Sequence, residues 1–180
     1  GQLSLAVAAA HCAVRGYTSV SIWGRSGEKA AAIVSTLGDQ GLPARAVDDL
    51  ETACRAADVV STVTASSRPI IQGDWLKPGS HLDLIGAFKG DMRESDDQAI
   101  QQAEVFVDLR AGASLAGDLS QPLEAGQITP EHIRADLAEL CQGAHPGRSD
   151  DSARTVFKSA GMALQDLAAA TMASDHTILG

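Results

Sequence analysis

The residues able to do chemistry on this chain stand where apolar stretches give way to small, hydroxylated or charged positions. The first group is Gly1-Gln2-Leu3-Ser4, a Gly followed three residues later by a small Ser at the opening of a helical pattern. With another Gly two positions before Gly1, that would be the trailing half of a Gly-x-Gly-x-x-small turn, in which the backbone approaches a pyrophosphate at a helix N-terminus. Gly1, Gln2 and Leu3 are its candidate cofactor contacts; the alternative is that Gly1 only marks a cut in the chain. The next apolar stretch ends Ile22-Trp23-Gly24-Arg25-Ser26. A site for NAD places an acidic residue about 20 positions beyond the glycine turn, to accept hydrogen bonds from the ribose hydroxyls, and none stands here. Gly24, Arg25 and Ser26 offer instead a cation, a hydroxyl and the amide dipole of the following helix. This set suits a 2′-phosphate, and hence NADP(H). The plainer alternative is a solvated Arg beside a helix cap.

Two further groups follow the same rule, that ligands of an open α/β sheet lie beyond the carboxyl ends of its strands. Thr62-Val63-Thr64 closes one β-like run with small residues whose hydroxyls can donate to a ligand. Ile85-Gly86-Ala87 closes another with a Gly that permits close approach, and leads into the charged segment Lys89-Gly90-Asp91-Met92-Arg93-Glu94. Asp83, inside that second run, must be paired or face an edge, since burying an unpaired carboxylate is costly. The five His are scattered, with no pair at metal-ligand spacing, so no metal is expected. Cys12, Cys54 and Cys141 have no paired spacing and read as buried thiols of a reducing, cytoplasmic compartment.

These positions require strands and helices in alternation. The pattern reads as a helix over 3–15, a strand over 18–23, a helix over 26–37, a strand over 44–47, a helix over 49–56, then strands over 57–64, 81–85, 103–108 and 154–157. An Ala-rich helix spans 159–172, and 110–150 holds only short helical patterns. Short apolar strands separated by helices predict a doubly wound, mostly parallel sheet buried on both faces. Only 3% of residues are aromatic while 44% are hydrophobic, so the core must be Ala, Val, Leu and Ile. A net charge of -9, with no basic run, argues against nucleic acid and anionic membranes as partners. The chain opens directly on an apolar helix expected to be covered on several sides, which places its start before or within the first glycine turn. Residues 1–158 then form a nucleotide-binding domain without its first strand, and 159–180 lead back to a second domain.

The run Asp74-Trp75-Leu76-Lys77-Pro78-Gly79-Ser80-His81 into Leu84-Ile85-Gly86-Ala87, with Met92-Arg93-Glu94 after it, resembles the ornithine cyclodeaminase and mu-crystallin family. So do Ala116-Gly117-Asp118-Leu119, Ala138-Glu139-Leu140 and the stretch from Thr155 through Lys158-Ser159-Ala160-Gly161 to Asp166. The likeness covers nearly the whole chain in order. It implies a Rossmann-like nucleotide domain beside a substrate domain through which full-length members form homodimers. Ornithine cyclodeaminases use NAD and carry an Asp base two residues beyond the Gly matching Gly86, whereas this chain has Phe88. With Arg25 and Val156-Phe157-Lys158-Ser159, that departure resembles the NADPH-dependent reductases of cyclic imino acids, of the pyrroline-2-carboxylate and piperideine-2-carboxylate type.

The resemblance implies hydride transfer from the nicotinamide to the carbon of a C=N bond conjugated to a carboxylate. Ile85, Gly86 and Ala87 would line the nicotinamide end, with Ser159 closing that pocket. No catalytic residue is named; Asp118 is the remaining candidate for a functional carboxylate, with a structural cap as its alternative. Other readings are an ornithine cyclodeaminase, an alanine dehydrogenase-like enzyme acting on an amino acid, and a non-catalytic NADPH-binding fragment or crystallin-like binder.

Overall fold

The structure is a computed structural model that describes residues 2–178, so Gly1 of the candidate glycine turn lies outside the described residues. In chain order the elements are α1 (Gln2–Val14), β1 (Val20–Ile22), α2 (Gly27–Asp39), β2 (Ala44–Ala46), α3 (Leu50–Ala56), β3 (Val59–Thr62), β4 (His81–Leu84), α4 (Asp97–Gln101), β5 (Glu104–Val107), α5 (Arg110–Ala113), α6 (Gly117–Glu124), β6 (Ile133–Asp136), α7 (Leu137–Cys141), β7 (Thr155–Lys158) and α8 (Ala163–Ile178). Helix starts follow the capping residues: Ser26 accepts from the Lys29 N–H, Asp49 from Thr52 and Asp96 from Ala99. Asp136 and Glu139 form a reciprocal capping box on α7. Among the described residues no helix is long and apolar enough to cross a membrane.

Every strand pair is parallel, as expected for an α/β alternation. The described strands fall into two sheets, however: β1 pairs with β2, and a separate sheet has the order β3-β4-β7-β5-β6. Within the larger sheet Val60, Leu82, Val156, Val105 and Ile133 stand in register across all five strands, and all five are buried. Because side chains alternate between faces, this row, with Leu84 and Val107, faces the core built with Ile100 of α4 and Leu119 of α6. The opposite face carries Asp83, which α1 reaches through His11 Nε2 at 3.2 Å; Ser61 Oγ donates to the same carboxylate oxygen at 3.0 Å. Asp83 is thus paired on a strand that is not an edge.

Three expectations need correction. β6 lies in the 110–150 stretch that the sequence pattern gives only helices; Ile133-Arg134-Ala135-Asp136 is too short and too polar to announce itself, and only Ile133 and Ala135 are buried. The last helix begins at Ala163 rather than Ser159, because residues 159–162 are non-helical and Gly161 there has φ 86°. None of the described side chains of α1 is buried, although its Ala-rich sequence predicts cover on several sides, and Val14 is 76% exposed.

Candidate functional site

Parallel strands put their carboxyl ends on one side of a sheet, and there the expected residues at 62–64, 85–87 and 159 come together. The register places Thr62, Leu84, Lys158 and Val107 in the last row before the ends. The Ser159 N–H donates to the Leu84 carbonyl at 3.0 Å and the Ile85 N–H to the Thr62 carbonyl at 3.0 Å. Three strands thereby share one rim. Gly24, Arg25 and Ser26 lie apart from it, at the end of β1 in the two-stranded sheet, where Ser26 caps α2 and Arg25 is exposed. Leu3, on the first turn of α1, is 54% exposed.

The polar groups of the rim are used differently from the expectation. The Thr62 hydroxyl donates to the Asp83 carbonyl at 3.3 Å, and that of Thr64 to Glu94 Oε1 at 2.8 Å. Both hydroxyls point into the protein, so what this loop offers a ligand is backbone. The close approach at Gly86 also serves the fold: a Cβ there would collide with the Thr64 backbone and fall 2.6 Å from Glu94 Oε1. Ala87 is wholly buried, while Phe88 is 55% exposed with the Lys89 ammonium 5.5 Å from its ring centre.

Beneath the rim lies a set of buried charges. Glu94, fully buried, accepts the Thr64 N–H on Oε1 at 2.6 Å, and the Gly86 and Ala87 N–H groups on Oε2 at 2.8 and 3.2 Å. Asp118 accepts from the Glu94 and Ser95 N–H groups and the Ser95 hydroxyl through Oδ1, while Oδ2 faces Lys158 Nζ at 3.2 Å. Lys158, also fully buried, donates to the carbonyls of Leu84 and Ala87. Asp108 follows β5 and binds the turn after β7: one oxygen accepts from the Ser159 hydroxyl and the Ala160 and Gly161 N–H groups.

Asp118 therefore fills neither expected role. It is too buried to meet a substrate, and it does not cap α6, whose N-cap Ala116 has no side-chain bond. Glu94, Lys158 and Asp108 were not singled out from the sequence as site residues. A signal existed, since Arg93-Glu94 close the charged segment that begins after the Gly86 turn, but charged residues after a turn normally read as solvated. Arg93 is itself nearly buried, held by the Ser95 carbonyl and Asp97. Cys54 is buried and burial pushes its thiol up to about 11, which makes it unreactive; Cys141, against expectation, is exposed.

A family model described as ornithine cyclodeaminase/mu-crystallin matches residues 1–179. Delta(1)-pyrroline-2-carboxylate reductase of Paracoccus denitrificans is 40% identical over 162 residues, covering 86% of this chain and 51% of that protein. Ketimine reductase mu-crystallin of Mus musculus is 37% identical over 161 residues, covering 88% of this chain and 47% of the mouse protein. Among solved structures, Delta(1)-pyrroline-2-carboxylate reductase of Thermococcus litoralis, in complex with NADH and L-proline, superposes with a TM-score of 0.94 at 26% identity, over 97% of this chain and 55% of the other. The chain spans about half the length of these curated relatives.

Proposed function

The chain belongs to the ornithine cyclodeaminase/mu-crystallin family, and on that premise we propose that it is the nucleotide-binding half of an NADPH-dependent reductase of cyclic imino acids. The observation that carries the reductase reading is Phe88. At the position where a cyclodeaminase needs a carboxylate base it presents an exposed ring that cannot accept a proton. The relatives named as pyrroline-2-carboxylate and ketimine reductases support the same reading.

The residues present fit a phosphorylated dinucleotide. Arg25 is exposed, has no ion pair or hydrogen bond among the described residues, and precedes a helix of 13 residues. It would hold the 2′-phosphate together with the first amides of α2, and Gly24 and Ser26 would flank it. Gly1, Gln2 and Leu3 would meet the pyrophosphate. Thr62, Val63, Thr64, Ile85, Gly86, Ala87 and Ser159 form the rim for the nicotinamide end, Thr62 and Ala87 by supporting it from below. When bound, the cofactor supplies the hydride that reduces the C=N carbon. The chain's own part is to orient that donor.

The domain organisation belongs to this proposal. Residues 1–158 are the nucleotide domain, and its first strand would lie between β1 and β3, which do not pair with each other. Residues 159–180 lead to a substrate and dimerisation domain. Leu164, Leu167 and Met172, between 63% and 66% exposed on α8, give that helix an apolar face to bury.

The test is made on the full-length protein, by following loss of dihydronicotinamide absorbance. Pyrroline-2-carboxylate or piperideine-2-carboxylate should be reduced, with NADPH preferred to NADH. Turnover of pyruvate with ammonia, or ammonia release from ornithine, would identify the dehydrogenase or cyclodeaminase alternative. Binding without turnover of any of these would leave a carrier.

A further inference from the structure

Glu94 is a fully buried carboxyl group that the mechanism leaves unused, yet it takes three backbone N–H groups from two different strand ends. A trans peptide is planar, with its N–H and C=O pointing in opposite directions. Fixing the N–H of Thr64 on Glu94 therefore turns the Val63 carbonyl away from Glu94. The N–H groups of Gly86 and Ala87 do the same to the carbonyls of Ile85 and Gly86. The remaining peptide groups of the β4 turn are tied elsewhere: the Leu84 and Ala87 carbonyls accept from Lys158, and the Ile85 N–H donates to Thr62. The carbonyls of Val63, Ile85 and Gly86 have no partner among the described residues, and these three residues are only half-buried at the rim. One buried side chain thus turns three partnerless acceptors away from itself, at residues that are only half-buried on the rim.

We propose that Glu94 is a positioning residue, which orients the Val63, Ile85 and Gly86 carbonyls as a set of hydrogen-bond acceptors for the carboxamide NH2 of the nicotinamide. The inference rests on the nicotinamide-cofactor reading above. Carbonyls can only accept, so the rim discriminates in favour of a ligand group that donates. A carboxamide donates two hydrogens, whereas an acetyl group of the same shape donates none.

The experiment measures binding to the full-length protein of three probes: NADPH, its 3-acetylpyridine analogue, and 2′,5′-ADP, which has no nicotinamide. Wild type should bind NADPH about tenfold more tightly than the acetylpyridine analogue, as expected for about one net hydrogen bond. Glu94→Gln cannot accept at both ends, so it should bind the two dinucleotides alike while 2′,5′-ADP affinity stays unchanged. Equal binding of the two dinucleotides by wild type would overturn the proposal whether or not the variant folds. So would a Glu94→Gln protein that keeps the discrimination, or one that loses 2′,5′-ADP in equal proportion, which marks a general structural role. Turnover is not needed for this readout. Carboxamide discrimination in a protein that reduces no imine would sink the reductase reading and support the role of Glu94.

Discussion

The two ends of the proposed nucleotide crevice are built on opposite physical terms. At the ends of β3, β4, β5 and β7 the polar groups are buried: Glu94, Asp118 and Lys158 are wholly removed from solvent, and Asp108 is 2% exposed. They bind backbone, and through it they set the shape of the rim. At the end of β1 the polar groups are exposed: Arg25 stands free, and the two-stranded sheet beneath it contains no buried side chain. The first end cannot be altered without leaving a buried charge or peptide group unpaired, whereas the second can change its charge with almost no effect on the fold. On the proposed function, cofactor preference at Arg25 would thereby be separated from the orientation of the reacting end.

Removing one partner of a buried pair tests that contrast most severely. Lys158→Met would leave Asp118 Oδ2 and two carbonyls without their cation, and urea unfolding should report a loss of about 3–5 kcal/mol. If Lys158→Met cost no more than an ordinary surface change, the buried set would not be what holds the rim. Arg25→Ala should do the reverse. Stability should stay within about 0.5 kcal/mol of wild type, while NADPH binding falls by about 1.5 kcal/mol, the low end for a hydrogen bond to a charged group because Arg25 is exposed. NADH binding should be unaffected; equal losses for the two cofactors would remove the 2′-phosphate role.

The smallest effect is on the sheet face opposite the core. Burial holds His81 below its ordinary value of 6.5, and the nearby charges of Arg148, His11 and Arg15 add to this against the opposing Asp83. The native state thus keeps His81 neutral where the unfolded chain would bind a proton. Its contribution to stability is present above pH 6.5 and is lost as pH falls below that value through the lowered native one. Unfolding measured from pH 7.5 down to 5 should show this slope, reduced in His81→Asn. An unchanged slope would mean that His81 is not protonated on unfolding.

How much was legible depends on the range of the interactions involved. β3, β4, β5 and β7 could be read because runs such as Val59-Val60 and Val105-Phe106-Val107 are apolar and rich in β-branched or aromatic residues over consecutive positions. The start of α2 could be read because Ser26 is a local cap. β6 could not, since its assignment depends on pairing with β5 rather than on its own composition. The hydroxyls of Thr62 and Thr64 suggested ligand contacts because a side chain's direction is not encoded locally.

The sequence by itself determined the parallel α/β alternation, the helix caps, and the placing of small residues and a cation after the strands. These follow from hydrophobic periodicity and short-range hydrogen bonding, which neighbouring residues decide among themselves. Only the tertiary structure decided that Glu94 meets Thr64, 30 positions away, and that Lys158 lies under Leu84 and Ala87, more than 70 positions away. It also decided that Asp118 is buried with them. Burial and pairing of a charge are set by what folds over it, and no local pattern carries that information.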